Sequence, residues 1–146
     1  MTRVLALLML LSGIGHAEIT PMVAPSASCP FWRGVSRAVV RSEITAIYYL
    51  ELELDLVSGV ARISDHRTES ADERTKKIFG DDQQRHTNAL YAICPTAEQL
   101  KATCSPGQRC LTLTVIRSSG STTDRDRGNA SQAQQILASI FPDLKL

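Results

Sequence analysis

The side chains with the widest chemical range in this chain are four cysteines, at positions 29, 94, 104 and 110. A thiol can attack a carbonyl, ligate a metal or pair with a second thiol, and spacing separates these roles. A metal site favours a close pair such as C-x2-C with histidine partners nearby, whereas successive separations here are 65, 10 and 6 residues. His66 and His86 complete no such set. Two disulfides are therefore expected, with no metal and no cofactor. Four cysteines allow three pairings. The segment Ser105-Pro106-Gly107-Gln108-Arg109 is a turn that brings Cys104 to Cys110, which leaves Cys29–Cys94. The latter bridge closes a long loop, worth about 4 kcal/mol in the chain-entropy description.

Charged side chains form two patterns. Glu51, Glu53 and Asp55 alternate with leucines, which puts three carboxylates on one strand face about 7 Å apart. Neither they nor Asp81-Asp82 follow the D-x-[DN]-x-[DN]-G spacing of a calcium loop. A glycosidase carboxylate pair needs an aromatic-lined cleft, and the chain has only one Trp, three Tyr and three Phe. Arg33, Arg37 and Arg41, spaced by four, make a basic stripe if the segment is helical. Each set is either a solvated face or a patch for a complementary partner.

Nucleophile signals are weak. Gly34-Val35-Ser36-Arg37-Ala38 falls short of G-x-S-x-G, which requires a preceding strand and a final glycine; Ser36 is read as an ordinary helix serine. Asp65-His66 with nearby Glu69 has the makings of a general base with an orienting carboxylate, but no sequence-adjacent nucleophile completes it, so His66 is placed at a solvated strand end. His86 is placed at a helix cap or rim. Asn129-Ala130-Ser131 matches the N-glycosylation pattern and serves equally as a helix cap.

These residues lie beyond an export signal. Met1-Thr2-Arg3, the apolar run Val4–Leu11 and the small-residue exit Gly15-His16-Ala17 read as a signal peptide over 1–17, cleaved near Ala17. The apolar run is shorter than the roughly 20 residues a bilayer core requires, so no membrane anchor is expected. Residues 18–146 then form one domain in an oxidising compartment, periplasmic or extracellular, where thiols pair. Of 16 basic residues only Arg3 lies in the signal, so 15 basic residues balance 15 acidic ones in the remainder. A net charge of zero supplies no field for nucleic acid or anionic membranes.

The elements expected to position these groups give an α+β fold with a small antiparallel sheet and packed helices. Residues 18–28, with Pro21 and Pro25, form an extended arm. Phe31, Trp32, Val35, Ala38 and Val39 share a helical face, predicting a helix over 31–41. A hairpin 44–57/60–65 turns at Ser58-Gly59. A two-residue loop sets Val57 against Val60, Leu56 against Ala61, Asp55 against Arg62 and Leu54 against Ile63. The capping-box pattern Ser70–Glu73 predicts a helix over 71–79. Further helices are expected at 83–93 (with 89–93 also compatible with strand), at 97–103 after the Thr96–Gln99 capping box, and at 130–141. Alternation in Leu111–Val115 predicts a strand over 110–117, and 118–128 a mobile loop.

Together these features favour a binding protein over an enzyme: an inhibitor or immunity protein that masks an envelope toxin or enzyme. The contacts are assigned to the two charged sets, the 118–128 loop and the charged 65–77 segment. A chaperone or assembly factor of an envelope secretion or pilus system would instead present an open sheet edge or apolar groove. A small hydrolase would bring His66 or His86 together with a serine or aspartate.

Overall fold

The computed structural model describes residues 29–120 and 122–146, with the side chains of 122–124 left out. The expected signal peptide, its cleavage point and the 18–28 arm lie outside the described residues. Cys29 leads into a 3-10 turn, Pro30–Trp32. Then come strands β1 (Val35–Glu43), β2 (Tyr49–Asp55), β3 (Val60–Asp65) and β4 (Asp72–Lys77), and helices α1 (Gly80–Tyr91) and α2 (Ala97–Lys101). Strands β5 (Cys110–Arg117) and β6 (Thr122–Asp126) and helix α3 (Ala130–Ala138) complete the chain. The strands form one antiparallel sheet in the order β4-β3-β2-β1-β5-β6.

Alternation sorts each strand into two faces. Ala38 and Val40, Leu50, Leu52 and Leu54, Ala61 and Ile63, Leu113 and Val115 all point inward and are buried. Helix α3 covers this face across β1, β2 and β5, with α1 packed on α3 and α2 beside β6. Ala133 and Leu137 of α3 and Leu90 of α1 complete the core. Each fully buried leucine contributes about 2 kcal/mol by leaving water. Among the described residues no helix lies over the other sheet face, the open face.

Both disulfides form in the expected pairing, with Cα separations of 5.7 Å for Cys29–Cys94 and 5.6 Å for Cys104–Cys110. The first ties the 3-10 turn to the end of α1. There Trp32, 1 % exposed, donates its indole N–H to the Ile93 carbonyl at 2.7 Å and packs against Phe31 and Tyr91.

Four local expectations are corrected. The segment expected as a helix over 31–41 is a 3-10 turn ending at Trp32 followed by β1 from Val35, one of the two central strands of the sheet. A β-bulge between Val35 and Arg37 places Val35 and Ala38 on the same face, so a three-residue apolar spacing imitates helical periodicity. Residues 71–79 are mostly strand β4, because pairing with the open edge of β3 from Val60 to Asp65 outweighs a local capping pattern. The 118–128 segment contains β6 rather than being all loop. The hairpin register is displaced by two residues: Leu54 faces Ala61, Glu53 faces Arg62 and Leu52 faces Ile63. The Asp55 carboxylate accepts the Val57 and Ser58 N–H groups at 2.9 and 2.8 Å, an Asx turn that lengthens the connection to Leu56–Gly59. Gly59 (φ +74°) is required there, since a Cβ would lie 2.5 Å from the Ile78 carbonyl. The displacement preserves parity, so the same residues stay inside.

The strand over 110–117 forms as expected, and the three other expected helices form with different ends: 83–93 as Gly80–Tyr91, 97–103 as Ala97–Lys101 and 130–141 as Ala130–Ala138. Thr96 and Gln99 cap α2 reciprocally: the Thr96 N–H donates to Gln99 Oε1 at 2.8 Å and the Gln99 N–H to Thr96 Oγ1 at 3.2 Å.

Candidate binding surface

The open face gathers the two charged sets that the sequence placed on different elements. Arg37 and Arg41 of β1 lie directly opposite Asp55 and Glu51 of β2. Arg41 bonds Glu43 at 2.7 Å and Glu51 at 3.2 Å, while Arg37 and Arg62 both reach Glu53 at 3.4 Å. Burial lowers the pKa of Arg41, but its hydrogen bonds to Glu43 and Glu51 outweigh this and raise the value, so its charge is fixed. Burial likewise pushes the Asp55 carboxyl up, and the Ser58 and Val57 backbone N–H groups reverse this and hold it below 3.8. Pairs this exposed contribute about 0.2–1 kcal/mol each. Their charges answer one another across the strands, so they stiffen the face and leave little net field. Arg33 does not join them. It sits in the turn before β1, where its carbonyl accepts from Arg117 Nε at 3.0 Å.

One end of this face carries an apolar surface; Val57 and Phe79, 76 and 68 % exposed, lie at the other end, by the Leu56–Gly59 turn. The β1–β2 connection exposes Ile44, Ile47 and Tyr48 by 61, 71 and 47 %. The loop is closed on itself: the Ile44 N–H donates to the Tyr48 carbonyl at 3.1 Å, and the Tyr48 N–H to the Thr45 carbonyl at 3.2 Å. Behind it the Arg41 guanidinium lies 3.7 Å over the Tyr49 ring, and Tyr49 stacks on His66 with ring centroids 4.7 Å apart. His66 meets Glu73 at 3.2 Å. It is a half-buried part of the support for the loop rather than a solvated strand end. The hairpin strand expected from residue 44 begins at Tyr49, which hid this tip; the signal was the run Ile44…Ile47-Tyr48, which breaks the alternation that starts at Leu50.

The histidine with a serine partner is His86. Its Nε2 lies 3.0 Å from Ser139 Oγ, and its Nδ1 lies 2.7 Å from the Asp82 carbonyl and 3.5 Å from the Asp82 carboxylate. The Asp82 carbonyl can only accept, so Nδ1–H donates to it, and a ring carrying that single proton turns its Nε2 lone pair to the Ser139 hydroxyl. The same hydroxyl also reaches the Ile136 carbonyl at 2.6 Å. The contact brings a histidine and a serine together and fastens α1 to the end of α3. Ser36 sits at the β1 bulge and donates to the Ile116 carbonyl at 3.2 Å.

The start of α3 also differs from the expected cap. Asn129 makes no side-chain cap. The fully buried Asp126 carboxylate accepts instead, from the Gly128 N–H at 2.9 Å, the Asn129 N–H at 3.2 Å and Asn129 Nδ2 at 2.9 Å. Arg125 and Arg127, read within a loop, flank this carboxylate; their two-residue spacing was the available strand signal. Among the described residues no three His, Cys, Asp or Glu side chains converge as a metal site, and no helix is long and apolar enough to cross a membrane. No protein-family model, curated protein or solved structure matches the chain.

Proposed function

We propose that this chain is an exported, disulfide-stapled protein-binding domain, an inhibitor or immunity protein that occludes a toxin or enzyme of the cell envelope. The observation that carries the reading is the β1–β2 tip: three large apolar side chains exposed on a short, internally hydrogen-bonded loop. Interface energy concentrates in such anchors, and a loop already ordered loses little freedom on binding. The stacked Arg41–Tyr49–His66 layer behind it keeps the tip in place. Export is supported by the basic start and the Val4–Leu11 apolar run, and by four cysteines all paired.

The charged ladder, first read as steering patches, is self-neutralised and supports the reading less than the tip does. Strand addition, as a chaperone would use, fits less well: the β4 edge carries Asp72, Glu73, Arg74, Lys76 and Lys77, the kind of charged edge that resists pairing with another chain.

Affinity capture of envelope proteins on the immobilised protein tests the proposal. The expected result is a stoichiometric enzyme or toxin whose activity falls on binding. Capture of nothing, together with turnover of a test substrate by the protein itself, would contradict it.

A further inference from the structure

Beside the tip the open face changes character. Cross-strand register sets Thr112 of β5 against Arg41, and Arg125 of β6 against Thr114. With Glu43 and Arg127 these side chains wall a cavity of about 260 Å3. Three guanidinium groups face one carboxylate. Arg41 is already compensated by Glu43 and Glu51. Arg127 spends its N–H groups on neutral acceptors, Cys104 Sγ at 3.0 Å and the Ala102 carbonyl. Among the described residues no carboxylate pairs with Arg125 or Arg127.

Two uncompensated guanidinium groups and two hydroxyls match one chemistry. A guanidinium fork donates to a carboxylate in bidentate geometry, with Arg127 approaching from its Nη2 side since Nε and Nη1 are engaged, and threonine hydroxyls can donate to the remaining carboxylate lone pairs. The volume is below the usual range of about 300–1,000 Å3 for drug-sized ligands, but a single acidic side chain fits. The cavity adjoins the tip through Arg41, whose Nη2 reaches the Ala46 carbonyl at 3.5 Å, and through Glu43, which precedes Ile44.

We propose that this cavity receives the carboxylate of an acidic side chain on the protein that the tip contacts. This rests on the protein-binding reading above and adds to it the kind of residue recognised.

Two probes test it without knowledge of the partner: glutarate, and a short capped peptide with one glutamate flanked by leucines. Each is titrated into the isotope-labelled protein while the arginine Nε–H signals are followed. Both are expected to give saturable shifts at Arg125 and Arg127, weakened about tenfold or more by Arg125→Ala, whose exposed side chain carries none of the fold. The peptide is expected to bind tighter than glutarate, and Ile47→Asp to remove that advantage while glutarate binding is unchanged. Absence of saturable shifts, or indifference to Arg125→Ala, would overturn the cavity. Glutarate binding as tightly as the peptide would overturn a protein-borne carboxylate in favour of a free small acid. Indifference of the peptide to Ile47→Asp would count against the tip alone.

Discussion

Removing each disulfide in turn should separate their contributions by loop length. Cys29–Cys94 spans a sequence separation of 65 and Cys104–Cys110 one of 6. In the chain-entropy description, closing these loops restricts the unfolded chain by about 4 and about 2 kcal/mol respectively. Cys29→Ala/Cys94→Ala is therefore expected to lose roughly twice the stability lost by Cys104→Ala/Cys110→Ala. The Trp32–Ile93 hydrogen bond spans nearly the same loop, but it exists only in the folded state and cannot restrain the unfolded one. Trp32 is the only tryptophan and is buried beside the first bridge, so its fluorescence during urea titration reports global unfolding of all three proteins. At about 1.5 kcal/mol per molar urea, a value within the range for small domains, the larger loss shifts the midpoint by about 2–3 M. Equal losses, or a larger loss at Cys104–Cys110, would refute the reasoning and point to native-state packing as the dominant contribution.

Other expectations follow from buried polar groups. Asp126→Ala strands three N–H donors at the entry to α3 and should cost about 3 kcal/mol, with Asp126→Asn, which keeps one acceptor oxygen, costing about 1 kcal/mol; chemical denaturation measures both. Thr87 is 1 % exposed and its hydroxyl has no partner among the described residues, so Thr87→Val should be neutral or stabilising by up to about 1 kcal/mol, read as the change in thermal midpoint. Acid sensitivity has a defined direction. Arg67 hydrogen bonds lower the Asp65 carboxyl against the opposing effect of burial, and the 57–58 backbone N–H groups lower that of Asp55. Both folded values lie under 3.8, so the stability they confer is present above that pH and is lost as pH falls through the folded values. Denaturation across a pH series should show a plateau above about pH 5 and a decline below about pH 4; a decline beginning near neutrality would contradict the assignment.

The parts of the fold legible in the sequence were those with strong local periodicity. The alternation Leu50–Leu56, the alternation Leu111–Val115 and the Thr96–Gln99 capping box each translate directly into structure, because no tertiary contact competes with them. Segments whose local pattern admits two readings went to the state that tertiary pairing favours. The β1 bulge makes a strand look helical, and the edge of β3 draws Asp72–Lys77 into the sheet against a capping-box signal. Charge patterns were visible as composition, but their meaning depended on register. Only pairing of Arg41 with Glu51 and of Glu53 with Arg62 reveals that they neutralise one another. The tip was hidden inside an over-long strand, and the Arg125/Arg127 wall lay in a segment whose Ser, Gly and Asp content resembles a loop.

Val57 supplies a matched control for the tip. It is 76 % exposed, comparable to Ile47 at 71 %, but sits at the opposite end of β2 in the Leu56–Gly59 turn. The affinity of the captured envelope protein for Ile47→Asp and Val57→Asp, measured side by side, addresses the proposed contact surface most directly. Ile47→Asp is expected to weaken binding by about 30-fold or more, corresponding to loss of an interface anchor worth about 2 kcal/mol, with Val57→Asp within about twofold of the unaltered protein. Equal affinities for the two variants, or a selective loss at Val57, would contradict placement of the binding surface at the β1–β2 tip.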